Sequence, residues 1–191
     1  TGFVVGGRKL FPLGKKQKSY LQLGIEFTQL QLMDPGLVID NTQPGGEPLR
    51  NSWYTSTQMR QGYTQNAKVL GASIGPGSNS QTIHLSFHRG RSLIRLHAER
   101  VAKNNDFYVY QYYGSSYENR YWVNLMTGVE AQIGITKNLL LGASYLQTTV
   151  NNYMWVRIED GIADWSDSST KSDYTNQQWQ VSLKYEINGR R

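Results

Sequence analysis

The chain has 191 residues, a formal net charge of +6, 38% hydrophobic residues and a mean hydropathy of -0.56. That polarity excludes a transmembrane helix, which needs roughly 20 apolar residues in a row, and with no basic run beyond Lys15-Lys16-Gln17-Lys18 the charge reads as solvated turns, not a nucleic-acid surface. Nineteen Gly, thirteen Tyr and five Trp against five Pro and no Cys suit an all-β chain; outer-membrane barrels are this polar because only every second strand residue meets lipid.

The opening Thr1-Gly2-Phe3 lacks the charged start and apolar core of a secretion leader, so the sequence reads as a processed chain or as a piece of a longer one. Phe3 to Phe11 is a first strand candidate, followed by Pro12 and the turn Gly14 to Lys18. From Leu21 the period is two: Leu21, Leu23, Ile25 and Phe27 share one face, and Gln22, Gly24, Glu26 and Thr28 the other. The phase inverts over Gln29 to Leu32, which predicts a bulge or the end of the apolar belt. A long irregular segment follows, Asp34 to Ser80, broken by Asp34-Pro35-Gly36, Pro44-Gly45-Gly46 and Gly75-Pro76-Gly77-Ser78-Asn79. A connection of that length in a compact domain is expected to have a function.

Thr82 to Arg89 alternates again, with Ile83, Leu85 and Phe87 opposed by His84, Ser86 and His88. Gly90-Arg91 predicts a tight hairpin, after which Ile94, Leu96 and Ala98 return on the apolar face and Arg95, His97 and Glu99 on the polar one. This strand is expected to run on through Asn104-Asn105-Asp106 into the aromatic stretch Phe107 to Tyr113. A polar loop, Gly114 to Arg120, leads to the strongest pattern of the chain, in which Tyr121, Val123, Leu125, Val129, Ala131, Ile133 and Ile135 are apolar and Asn124, Glu130 and Gln132 alternate with them. A three-residue turn, Thr136 to Asn138, should pair Ile133 with Leu141 and Val129 with Tyr145, leaving both apolar faces on one side. After Tyr153-Met154-Trp155 comes a second long loop, Arg157 to Asn176, and then a last strand, Gln178 to Asn188, with Trp179, Val181, Leu183 and Tyr185 opposed by Gln180, Ser182, Lys184 and Glu186.

Seven strands emerge, joined alternately by short turns and by longer loops at about 34–80, 114–120 and 157–176, the asymmetry of an antiparallel transmembrane β-barrel with short periplasmic turns and long external loops. The aromatic groups Tyr108 to Tyr113, Tyr121-Trp122 and Tyr153 to Trp155 then fall near the external end, as a girdle would. Bacterial single-chain barrels usually have an even strand count. Seven strands therefore read as the C-terminal part of a larger barrel, residues 1–191 forming one outer-membrane domain.

The segment Gln61-Gly62-Tyr63-Thr64-Gln65-Asn66-Ala67-Lys68-Val69-Leu70-Gly71-Ala72-Ser73-Ile74-Gly75-Pro76-Gly77-Ser78-Asn79-Ser80-Gln81, followed by Asn104-Asn105-Asp106-Phe107-Tyr108, resembles the capsule assembly Wzi family as found in Bacteroidetes. The resemblance implies an outer-membrane barrel of roughly eighteen strands that acts as a lectin, holding capsular polysaccharide at the cell surface. Its partners would be that polysaccharide, outer-membrane lipid and other outer-membrane proteins, with no nucleic acid.

Trp53, Tyr54, Tyr63, Tyr117, Trp155, Trp165 and Tyr174 lie in or beside the external loops among Asn, Gln, Ser and Asp. Aromatic faces stack on sugar C–H surfaces and amides bind hydroxyls, so these seven are the candidate polysaccharide ligands; girdle and loop packing is the equally weighted reading. No catalytic residue, metal ligand or cofactor is expected. His84 opposite His97, with Glu99 beyond, has metal-ligand chemistry, but polar lumen side chains occur in any large barrel. The acidic loop Glu159 to Asp173 lacks the ligand spacing of a calcium loop. Two other functions stay open: a passive pore or structural subunit of an outer-membrane complex, and a soluble β-sandwich carbohydrate-binding module.

Overall fold

A period of two puts successive side chains on opposite faces of a strand, and each segment with that period is a strand in the computed structural model, which describes residues 2–14, 19–31, 39–40, 47–48, 64–65, 68–69, 71–112, 121–155 and 173–186. The long strands are β1 (Phe3–Leu13), β2 (Ser19–Gln29), β3 (Asn79–Arg89), β4 (Ser92–Ala102), β5 (Val123–Gly134), β6 (Leu139–Asn151) and β7 (Tyr174–Tyr185). They form one 7-stranded sheet in which each strand pairs antiparallel with its sequence neighbours. β1 and β7 are its edges and do not pair with each other.

The registers are those the alternation requires. Ile133 faces Leu141 and Val129 faces Tyr145 across a turn in which the Ile135 N–H donates to the Leu139 carbonyl at 3.0 Å. Arg89 faces Ser92, and Gly90 takes φ +59, the left-handed conformation that primed two-residue hairpin turns need at a central position. β2 ends at Gln29 with unbroken pairing, so the phase change there marks the strand's end and not a bulge.

One expectation is overturned. Phe107 to Tyr112 does not continue β4: Asn105–Tyr112 is a helix, α1, and Tyr113 lies outside the described residues. Asn104 stands at φ +45 and its carbonyl accepts the Tyr108 N–H at 3.2 Å, closing the first turn. Asn-Asn-Asp is helix-start chemistry, and it outweighs the strand preference of the aromatic residues behind it. The long loop before β7 is also shorter than expected, since Tyr174, Thr175 and Asn176 already pair with Val150, Thr149 and Thr148.

The two faces of the sheet are inverted relative to a water-soluble sheet. Ile83, Leu85, Ile94, Leu96, Leu125, Val129, Ile133, Val181 and Leu183 share one face and are exposed, Val181 at 77%. On the other face, Ser86, His84, Arg95, His97, Glu130 and Gln132 are buried or half-buried. Arg95 bridges this polar face, donating to Ser86 Oγ at 3.2 Å and pairing with Glu130 at 3.1 Å.

The apolar band also runs obliquely across the strands. On β2 it extends from Phe27 to Leu21, and on β7 from Trp179 to Tyr185. Phe27 is in register through Gln81, Arg100, Leu125 and Thr149 with Thr175, so from β2 to β7 the band has stepped four residues, Thr175 to Trp179, towards the short turns. Four residues are about 14 Å and five strand spacings about 24 Å, an inclination of about 30°.

At the opposite end from the short turns, residues 71–78 fold onto the polar face. Ile74 packs with Leu30 and Val101, and Ala72 and Met126 lie against them. The Leu30 N–H donates to the Ser78 carbonyl at 2.8 Å, and the Asn105 N–H to the Gly77 carbonyl at 2.6 Å. The Gly75-to-Asn79 segment is thus more than a turn: it ties β2 to the start of α1.

Two glycines make room on the polar face. A Cβ at Gly24 would run into the His84 imidazole, and one at Gly128 into that of His97. Gly128→Val is expected to lower stability by about 1–3 kcal/mol through overpacking. Gly7→Val, on the apolar face with open space around it, should change little. Urea titration of both variants checks the difference.

Candidate functional site

Three segments leave the sheet at the end of β4 to β7 away from the short turns, and each brings aromatic rings. α1 supplies Phe107 and Tyr108, the approach to β5 supplies Tyr121 and Trp122, and the end of β6 runs into a short 3-10 turn, Tyr153–Trp155. Tyr174, first in β7, completes the group. The strands fix where these segments emerge, and the rings then meet.

Trp155 lies at the centre of the group. Its ring centroid is 5.3 Å from Phe107, 5.7 Å from Trp122 and 6.1 Å from Tyr108. Trp122 stands edge-on to Tyr153 at 5.2 Å, Tyr153 edge-on to Tyr174 at 5.5 Å, and Tyr108 is 5.0 Å from Tyr121. Such separations fall in the range where aromatic pairs attract beyond their area burial. Tyr108 is buried, whereas Phe107, Tyr121, Tyr153 and Tyr174 present 36–48% of their surface. The group therefore has a packed centre and open ring faces, unlike a girdle spread along the outer rim.

The backbone under Trp155 is held in place. Asn152 and Trp155 take φ +53 and +55, and the Trp155 N–H donates to the Asn152 carbonyl at 2.9 Å. A bulky side chain is a genuine outlier in that region, and such strain persists where the surroundings over-determine it. Here Asn152 is anchored twice, its N–H donating to Asp173 Oδ1 at 2.8 Å and its side-chain amide to the Tyr121 carbonyl at 3.1 Å. Trp122 Nε1 donates to Asn124 Oδ1 at 2.9 Å, but Trp155 Nε1 is buried with no hydrogen-bond partner among the described residues. Beside the group, Lys103 donates to the Ile74 carbonyl at 3.2 Å, and burial lowers its pKa against the raising effect of Glu99.

Of the seven candidate ligands, Trp155 and Tyr174 are in this group, while Trp53, Tyr54, Tyr63, Tyr117 and Trp165 lie outside the described residues. The sequence offers Tyr108, Tyr121, Trp122 and Tyr153 only for a girdle and Phe107 only for a continued strand. The signal that they form one site was their position, just beyond strand ends that the alternation had already placed side by side.

On the polar face, His84 is directly opposite His97 as the hairpin requires. The rings nevertheless lean apart, His84 over Gly24 beside Gln22 Nε2 at 3.4 Å and His97 over Gly128. Among the described residues no three His, Cys, Asp or Glu side chains converge as a metal site would require, and none of the described helices is long and apolar enough to cross a membrane. Comparison with known proteins returns no matching family model, no matching curated protein and no matching solved structure.

Proposed function

We propose that the seven strands belong to an outer-membrane β-barrel, and that its external end binds surface polysaccharide without catalysing a reaction. The observation that carries the first half is the exposed apolar band and its inclination. A β-sandwich module would cover its apolar face with a second sheet, whereas here that face is exposed. A bilayer crosses tilted barrel strands at the tilt angle, typically 35–45°, close to the inclination of about 30° drawn from strand geometry. Strands of 11–13 residues also fit: eleven residues span about 37 Å, and rise about 28 Å when tilted 40°, against an apolar band about 25 Å tall.

The aromatic group around Trp155, together with the resemblance of Gln61 to Gln81 to the capsule assembly Wzi family, supports the second half. The sheet would then be the C-terminal part of a barrel of roughly eighteen strands, with capsular polysaccharide and outer-membrane lipid as its partners. Open aromatic faces beside amides and a carboxylate suit sugar rings and their hydroxyls. The polar face favours a second reading, a water-filled pore.

Two measurements test these readings. Protein in outer-membrane preparations should resist release by high salt and need detergent; release by salt alone would sink the barrel. Purified protein should bind capsular polysaccharide by calorimetry, and Trp155→Ala should weaken binding on the order of tenfold, the scale of one lost aromatic contact. Conduction of small solutes with no glycan binding would leave the pore.

A further inference from the structure

At the long-connection end, the apolar face gives way to amides: Gln29 on β2, Asn79 and Gln81 on β3, and Gln31 just beyond β2. Among the described residues of that face in the two rows nearest this end, Arg100 on β4 is the one that carries a charge, in register with Gln81 on one side and Leu125 on the other. The amides hold it. Arg100 Nη1 donates to Asn79 Oδ1 at 3.3 Å and to Gln81 Oε1 at 2.9 Å, Gln81 Nε2 donates to Asn79 Oδ1 at 3.1 Å, and Asn79 Nδ2 donates to Gln31 Oε1 at 2.7 Å. Gln31 Oε1 is fixed in turn by the Asn105 side chain of α1 at 3.0 Å.

This network uses one corner of the guanidinium. With partners shown for Nη1 among the described residues, Nε and Nη2 are left as a parallel pair of donors on an exposed side chain, the fork that matches two oxygens of a phosphate. Directly below, towards the short turns, Ala98 and Leu96 continue β4, and Ile83 and Leu85 continue β3, a surface for acyl chains. A charge at this height costs little, since the penalty on the lipid face of a barrel falls from about 2–4 kcal/mol at the midplane to about 0–1 near the interface. We infer that Arg100 and the amides Gln29, Asn79 and Gln81 form a binding site for the phosphorylated sugar headgroup of an outer-leaflet glycolipid, with phosphate on the Arg100 fork and sugar hydroxyls on the amides. The inference rests on the barrel reading and on the long connections being external.

The test uses protein purified from membranes and placed in nanodiscs of phosphatidylcholine containing a phosphorylated glucosamine lipid, followed by native mass spectrometry of retained lipid. Wild type should keep the glycolipid, and Arg100→Gln should lower the retained fraction on the order of tenfold, the scale of a lost bidentate charge-assisted pair. Arg100→Lys, which keeps the charge and loses the fork, should fall between them. Arg95→Gln, the same charge loss on the polar face, should retain lipid as wild type does. Equal retention by wild type and Arg100→Gln, or equal retention of the dephosphorylated lipid, would overturn the site and leave the barrel standing. Failure of wild type to enter the nanodisc would overturn both.

Discussion

If the sheet belongs to the outer-membrane barrel proposed above, Val129→Arg is expected to stop the protein assembling in the membrane, whereas Gln132→Arg should assemble almost as wild type does. The two positions are three residues apart on β5 but point to opposite faces: Val129 is in register with Leu96 and Tyr145 in the middle of the apolar band, and Gln132 with Leu93 and Gly142 on the polar face. An arginine at the bilayer midplane costs about 2–4 kcal/mol in a barrel, a large share of the roughly 5–15 kcal/mol that holds a domain folded. On the polar face the same side chain stays beside water and near Glu130. Heat-modifiable migration on gels of membrane extracts reads folded barrel in each variant. Equal loss from both would show that the faces have been assigned wrongly or that no bilayer meets them.

That assignment was legible in the sequence because side-chain direction in a strand depends only on parity and register. Ile133, Ala131, Val129, Leu125 and Val123 keep one parity, broken only at Thr127, and a three-residue turn leaves one way to pair Ile133, Val129 and Leu125 with Leu141, Tyr145 and Thr149. The same argument placed His84 opposite His97 across Gly90-Arg91. It failed at Phe107 to Tyr112, whose aromatic residues carry no alternation; there the helix start at Asn104 to Asp106 decided the structure. The aromatic group was half visible. Trp155 and Tyr174 stood out as loop aromatics, but the contacts of Trp155 with Trp122 and Phe107, and of Tyr174 with Tyr153, depend on where the chain segments leave the sheet. The folding of Ile74 onto Leu30 and Val101 was not legible at all, because residues 71–78 have no periodicity and their partners are 27 to 44 residues away, as Ile74 to Val101 and Leu30 to Ile74.

That inward-folded segment gives the second large effect. Gly75 and Gly77 both have left-handed backbones, at φ +84 and +58, yet a Cβ at Gly75 meets nothing within 4 Å while one at Gly77 would come within 2.9 Å of Asp106 Cβ, 3.0 Å of its Cγ and 3.1 Å of Asn104 Oδ1. Gly75→Ala should therefore cost only the left-handed strain of an L residue, about 1–2 kcal/mol. Gly77→Ala adds a clash with the first turn of α1, about 1–3 kcal/mol more. Asp106, the residue it meets most closely, is buried, with 2% of its surface exposed, and so is its neighbour Asn105, at 5%. Relief must come from moving α1, which breaks the Asn105 N–H bond to Gly77 and draws Tyr108 away from Tyr121 and Trp155. The sheet itself has no part in the clash. Gly77→Ala should thus keep the strand signal in far-ultraviolet circular dichroism, shift tryptophan emission to longer wavelength as the aromatic group opens, and weaken polysaccharide binding at least as much as Trp155→Ala. Gly75→Ala should do none of these beyond a modest loss of stability. Matching behaviour of the two variants would mean that residues 71–78 do not hold α1 in place.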